Sequence, residues 1–392
     1  MRILNAYLHF SYFQDISCTA NIDFMQNKIE ELLDNFVSTL ASIVSMRLLD
    51  QETDVAFSEG PTFALLDARL LMKRPNGDGI EVAVDVLRTA YPRDVRVSMQ
   101  KLLSYEASLQ GSRSKPVLCV LADYMSPGSR ELLKQAGISY CDSRGSMYFH
   151  HPTCFIEKDP GPKPRQSRRA FQIFTGAREQ VIHALLIHSQ RARNPDEAYI
   201  SGTELAALAQ TSPYTVSVTM QELEREELVK PLGKGPYQRR RLFNASALLD
   251  AWAASWVSRR EAMTRWYAYT PTSNPMDIVM DAFNGRHGWA ITGAAAANLA
   301  APYLTSVDRV QVIVPPGASL PWSQELNCKP TNKGANIVML EREGASVMFS
   351  NSYKNQTGSH LSSHFIQYLD LLDGYGRNKE LAEVFRRQVL KI

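Results

Sequence analysis

Ser212-Pro-Tyr-Thr-Val-Ser-Val-Thr-Met-Gln-Glu-Leu-Glu-Arg225 decides how the middle of this chain is read. Serine followed by proline starts a helix: the serine caps the first turn, and the fixed φ of proline suits the first helical position. From there Val216, Met220 and Leu223 fall at i, i+4 and i+7, an apolar stripe for packing on neighbouring helices. The other side carries Tyr214, Ser217, Gln221 and Arg225, with Thr215 beside them. Such side chains reach base edges and phosphates in a DNA major groove.

The neighbouring residues extend that reading. Upstream, residues 176–190 present Val181, Ile182, Leu185 and Leu186 as one helix face, and Ser201-Gly-Thr-Glu204 has the spacing of a capping box before a short helix. Downstream, Leu228-Val229 begins a strand, Gly233-Lys-Gly-Pro236 turns, and Tyr237-Gln-Arg-Arg-Arg-Leu-Phe243 returns. Residues 230–241 hold Lys230, Lys234, Arg239, Arg240 and Arg241 without an acid. Three helices followed by a basic hairpin predict a winged helix-turn-helix over 173–268, its wing laid along the phosphate backbone with Tyr237 near the tip. The plain alternative is a helical bundle with a solvated loop, or a winged helix used against protein. Trp252 and Trp256, at i and i+4 on the next helix, are expected to pack this part onto the C-terminal domain.

Basic charge also gathers in Asp159-Pro-Gly-Pro-Lys-Pro-Arg-Gln-Ser-Arg-Arg169, a proline-rich linker expected over 158–172, where Arg168 and Arg169 are further candidates for DNA contact. The whole chain is nearly neutral, +3 over 392 residues, so this mid-chain concentration is what points to nucleic acid. No apolar run approaches the roughly 18 residues of a membrane helix. The start lacks the order of a signal peptide, so a cytoplasmic location and no membrane partner are expected. Five scattered cysteines without a C-x-x-C pair indicate neither a zinc ribbon nor a disulfide framework. His150, His151 and Cys154 match no standard metal spacing, and His360 and His364 lack a third ligand. No metal and no cofactor is expected.

Before the linker, residues 1–157 read as an α/β domain. A long amphipathic helix spans 24–48. Apolar stretches at Phe63–Met72 and Ile80–Leu87 flank the turn Pro75-Asn-Gly-Asp-Gly79. A helix at 94–109, a strand at 116–121, a helix at 127–136 and strands around 138–141 and 146–149 come next. This is the layout of a restriction-endonuclease-like domain, the PD-(D/E)xK core, in which two acids and a lysine hold a metal and activate water. Asp67 and Asp85 take the acid positions, but Leu87 stands where the lysine belongs, and Glu81-Val-Ala83 lacks it too. The domain therefore reads as catalytically inert. Gln100 and Tyr105 read as surface and core residues. Arg88, Arg93 and Arg96 form a basic face, a DNA or partner contact or plain solvated charge. After 269 a C-terminal α/β domain is expected, with an Ala-rich helix over Gly293–Leu304, a strand at Val310–Val314, hairpin strands around 336–350, and closing helices near 361–373 and 377–391.

Three stretches resemble the AbiEi-like antitoxins of type IV toxin–antitoxin systems: Ile200–Phe243, Trp289-Ala-Ile-Thr-Gly-Ala-Ala-Ala-Ala-Asn-Leu299, and Phe365-Ile-Gln-Tyr-Leu-Asp-Leu-Leu372 with Gly376-Arg-Asn378. The first domain, closing in Gly137-Ile-Ser-Tyr-Cys-Asp-Ser-Arg-Gly145, is similar to an extension of larger members. The resemblance implies an autorepressor paired with a nucleotidyltransferase-type toxin that it does not touch directly. This chain differs from the compact pattern in carrying its winged helix centrally. A regulator without a toxin would carry the same modules. The expected partner is double-stranded operator DNA, with a homodimer left open. The competing reading is a Mg-dependent nuclease, with Asp67 and Asp85 holding magnesium and the winged helix choosing the target.

Overall fold

A computed structural model describes residues 29–392 apart from 60–61, 76, 110–114, 160–171, 260, 270–273 and 351–359. It is a mixed α/β structure with three sheets, and the chain divides between Ser167 and Arg168 into two compact units. Arg168 and Arg169 lie outside the described residues, as does most of the linker. Among the described residues no helix is long and apolar enough to cross a membrane.

In the first unit the helix α1 (29–44) buries Leu32, Leu33, Phe36 and Leu40, the stripe that its spacing predicts. It packs on one face of a seven-stranded sheet in sequential order. Strands β1 (Arg47–Glu59), β2 (Thr62–Lys73) and β3 (Gly79–Ala90) form an antiparallel meander. Gly77, at φ 93°, and the bonds Gly77 N to Arg74 O and Arg74 N to Asp78 O make the expected β2–β3 turn. Helix α2 (Pro92–Ser108) crosses to β4 (Val117–Met125), parallel to β3, and α3 (Pro127–Gln135) crosses to β5 (Ser139–Asp142), parallel to β4. Strands β6 (Met147–His151) and β7 (Cys154–Lys158) finish antiparallel. Both faces of β3 and β4 are covered, so Val82-Ala83-Val84 and Cys119-Val-Leu-Ala122 are buried runs without alternation. The sequence reading lacks β1 and β7. Both are edge strands, and β1, with Arg47, Asp50, Glu52 and Asp54, is mostly exposed, Phe57 being its buried apolar side chain.

The second unit opens with α4 (Gly176–Arg191), β8 (Ile200–Ser201), α5 (Gly202–Leu208), α6 (Pro213–Arg225), β9 (Val229–Leu232), β10 (Arg239–Leu242) and α7 (Ala245–Val257). The three strands make a small antiparallel sheet, β8-β10-β9. A five-stranded sheet comes after it, ordered β12-β13-β15-β11-β14. Its strands are β11 (Met263–Tyr267), β12 (Ala290–Thr292), β13 (Val310–Val314), β14 (Lys329–Pro330) and β15 (Ile337–Glu341), with β13 and β15 parallel. Helices α8 (Pro275–Phe283), α9 (Gly293–Ala300), α10 (Ser319–Glu325), α11 (His364–Leu371) and α12 (Asn378–Phe385) complete it.

Two expectations change here. The boundary at 268/269 would cut β11 from its own sheet, since Thr264 and Arg265 pair with Met339 and Val338. The parts on either side also share a core, in which Leu185, Leu249 and Trp252 join Ala297, Phe365, Leu369 and Phe385. The hairpin expected around 336–350 is a single strand, β15, followed by a 3-10 turn at Gly344–Ser346. β15 pairs with β13 and β11 instead, which satisfies both of its edges.

Candidate nucleic-acid interface

Helix α6 begins as its first two residues dictate. Ser212 Oγ accepts the N–H of Thr215 at 3.1 Å, and Pro213 occupies the first turn. Val216, Met220 and Leu223 are buried against α4 and α5. Thr219 is buried between them, donating to Thr215 O and accepting from Arg178 Nε. That fixes the helix rotation and leaves Tyr214 (78% exposed), Ser217, Gln221 and Arg225 on the outer side. Gln221 Nε2 lies 3.4 Å from Ser217 Oγ, one turn back, which orients its amide. Thr215 is half-buried, and its hydroxyl is shared with Ser212 at 2.9 Å, so it acts in the cap rather than on the outer face.

The hairpin beside α6 pairs Val229 with Leu242 through to Leu232 with Arg239. Gly233 and Gly235, at φ 78° and 66°, carry the chain round its tip, where Lys234 is exposed and Tyr237 is 89% exposed. The three arginines have separate fates. Arg239 is exposed, with Nη2 donating to Tyr199 O at 2.6 Å. Arg240 is half-buried and pairs with Glu224 of α6. The Arg241 guanidinium lies 5.3 Å from the Tyr199 ring centroid, and its Nε is buried without a hydrogen-bond partner. The sequence segment holds no acid, yet the fold supplies one. Glu224 takes up one of the five cations and leaves Lys230, Lys234 and Arg239 as the exposed ones. Lys230 Nζ lies 3.4 Å from the centroid of the half-exposed Phe243 ring.

The first unit assembles a second constellation. Beyond the Ala68–Val84 pair the β2–β3 ladder gives way, and the Asp67 carboxylate accepts the Val86 N–H at 2.6 Å. Lys101, from α2, pairs with Asp85 and stands 3.5 Å from Asp67. Burial, then the charge of Asp85, pushes Asp67 up to about 6 against the opposing effect of Lys101. Tyr105 Oη donates to Glu81 at 2.9 Å, and burial followed by that contact pushes Tyr105 up to about 12. The cation missing at Leu87 is thus present on a different element. Its signal is the lone lysine of α2, three residues after buried Ser98 and just before buried Leu102. Among the described residues no three His, Cys, Asp or Glu side chains are grouped to hold a metal.

No family model matches this sequence, and comparison with curated proteins found no match. Among solved structures the chain is similar to a repair endonuclease from Pyrococcus abyssi. The identity is 12% over 29% of this chain and 46% of that one, at a TM-score of 0.21. The chain thus spans less than half of that structure, and a likeness at this score carries no argument about either unit.

Proposed function

We propose that this chain is a sequence-specific, double-stranded-DNA-binding transcriptional regulator. In this reading α4, α5 and α6 form a winged helix-turn-helix with α6 as its recognition helix, and the β9–β10 hairpin is the wing. The observation that carries it is the division of α6. Its apolar stripe is consumed by the core, while Tyr214, Ser217, Gln221 and Arg225 stay outside beside a hairpin with three exposed cations. Gln221 suits an adenine edge, Arg225 a guanine edge or phosphate, and Lys230, Lys234 and Arg239 the backbone. The narrower reading, autorepressor or antitoxin of a type IV toxin–antitoxin-like operon in the cytoplasm, rests on the three resembling stretches. It adds a restriction-endonuclease-like first domain that is inert. Protection of the chain's own upstream DNA from nuclease digestion tests the proposal. A footprint that disappears in Gln221→Ala and Tyr214→Ala supports it, and no footprint at all refutes it.

Lys101 favours one second reading, a Mg-dependent DNA nuclease. Two carboxylates with a lysine are the residue types that hold magnesium and polarise an attacking water. Two carboxylates leave most of the six magnesium positions to water and phosphate, as that ion prefers. Incubation of supercoiled plasmid with Mg²⁺ separates the readings. An inert domain leaves the plasmid intact, whereas a nuclease nicks it and loses that activity in Asp85→Ala and Lys101→Met.

A further inference from the structure

Besides the polar side chains of its outer face, α6 exposes an apolar one. Val218 is 37% exposed and stays out of the core that takes up Val216 and Met220 on either side of it. Its place on the helix is central. Tyr214, Val218, Gln221 and Arg225 fall at i, i+4, i+7 and i+11, which at 3.6 residues per turn is a single ridge, and all four are exposed. The ridge runs opposite the buried stripe of Val216, Met220 and Leu223. Ser217 flanks it, 3.4 Å from Gln221 Nε2. Valine is a poorer helix former than alanine, so an uncovered valine in mid-helix is something that folding alone does not call for.

The charges around Val218 say what kind of surface it meets. The two acids of α6, Glu222 and Glu224, are engaged by Arg178 and Arg240. The exposed charges nearby are Arg225 on the ridge and Lys230, Lys234 and Arg239 on the hairpin. An apolar spot framed by an amide and by cations, with both carboxylates of the helix neutralised, complements a DNA major groove. Phosphates line the rim of that groove, and the apolar group on its floor is the C5 methyl of thymine.

We propose that Val218 reads the C5 methyl of a thymine, on the base pair next to the adenine that suits Gln221. The inference rests on the DNA reading above and adds a base to it. Three residues separate the two side chains, a rise of about 4.5 Å along the helix, close to the roughly 3.4 Å between stacked base pairs. Gln221 spans N6 and N7 of its adenine, whereas Val218 has no polar side-chain atom and meets only the methyl. Cytosine at that position presents an amino group instead, which valine leaves without a partner.

The test is competition binding of the full chain to its own upstream duplex and to copies in which each thymine in turn is replaced by uracil. Uracil pairs alike and lacks only the methyl. At one thymine, or at its symmetry mate in a palindromic site, uracil should weaken binding about fourfold, the worth of one methyl removed from water. Val218→Ala should lose a similar factor on the thymine duplex at unchanged or higher Tm, and uracil should then cost it nothing further. Specific binding that no uracil weakens overturns this inference and leaves the DNA reading standing. So does a uracil penalty that persists in full in Val218→Ala. Absence of any preference for the upstream duplex over a scrambled one overturns the DNA reading, and this inference with it.

Discussion

Glu224 sorts the arginines of the hairpin into structural and available ones. Arg240 is held by that carboxylate with both side chains mostly covered, whereas Lys234 and Arg239 face solvent. Lys234→Ala and Arg239→Ala should therefore weaken binding to every duplex alike, each lowering the slope of log K against log salt by about one. Arg240→Ala should instead lower Tm, since it strands a half-buried carboxylate. Gln221→Ala should cost about 1–3 kcal/mol on the preferred site and little on a scrambled one, measured by competition binding. Asp67 gives a residue-scale prediction in the first unit. Its folded value, near 6, lies above the ordinary 3.8, so the folded state holds its proton more tightly than the unfolded chain does. That contribution is full below about 4 and lost as pH rises through 6. Asp67→Asn should accordingly be more stable than the parent at pH 8 in urea unfolding, with the gap closing by pH 4. An unchanged gap across that range would contradict the assignment.

Elements are legible in proportion to how much of their signal is local. The α5 start is wholly local: Ser201 Oγ accepts Glu204 N at 3.2 Å, and Glu204 Oε2 accepts Ser201 N at 2.9 Å, the two halves of the box that the sequence spells. Ser201→Ala should cost about 1 kcal/mol in urea unfolding with little change in m-value. The spacing of Val216, Met220 and Leu223 likewise settles which side of α6 is outside. The edge strands β1 and β7 escape a sequence reading because an edge needs only one neighbour and little burial. The stretch after β15 reads wrongly as a hairpin because the turn residues Glu341-Arg-Glu-Gly344 suit one, while the partner strands of β15 lie far away in sequence. Spacing sets Thr215 among the base readers, next to Tyr214, and only its bond to Ser212 shows the cap. Lys101 is hidden for a related reason: a motif fixes the lysine by strand spacing, but the fold asks only that a cation reach both carboxylates.

At the scale of the whole second unit, buried polar groups tie the helical part to the five-stranded sheet and its helices. His183 of α4 is fully buried, with Nδ1 2.8 Å from Ala345 O and Nε2 2.7 Å from Ser363 Oγ, the α11 cap. Trp256 Nε1 donates to Asp370, which also binds Arg342 and Thr292. No sequence spacing announces contacts across such separations, which is why the sequence suggests a boundary where the core is continuous. Burial pushes His183 down to about 3 and His364 to about 4. Both are therefore neutral in the folded state near pH 6.5. Their contribution to stability is present above that pH and lost as pH falls towards the folded values, opposite in sign to Asp67. Because the Trp252 ring is 5.4 Å from His183, tryptophan fluorescence should report loosening of this unit between pH 6 and 3, later in His183→Gln. A spectrum unchanged down to pH 3 would refute the linkage.

Whether α6 and the hairpin read DNA is decided by fluorescence anisotropy. The full chain is titrated onto its own upstream DNA and onto a scrambled duplex across a salt series. A preference of at least about 10³-fold for the upstream DNA is expected, with affinity falling steeply as salt rises. Equal, weak affinity for both duplexes would rule out sequence-specific recognition by this unit.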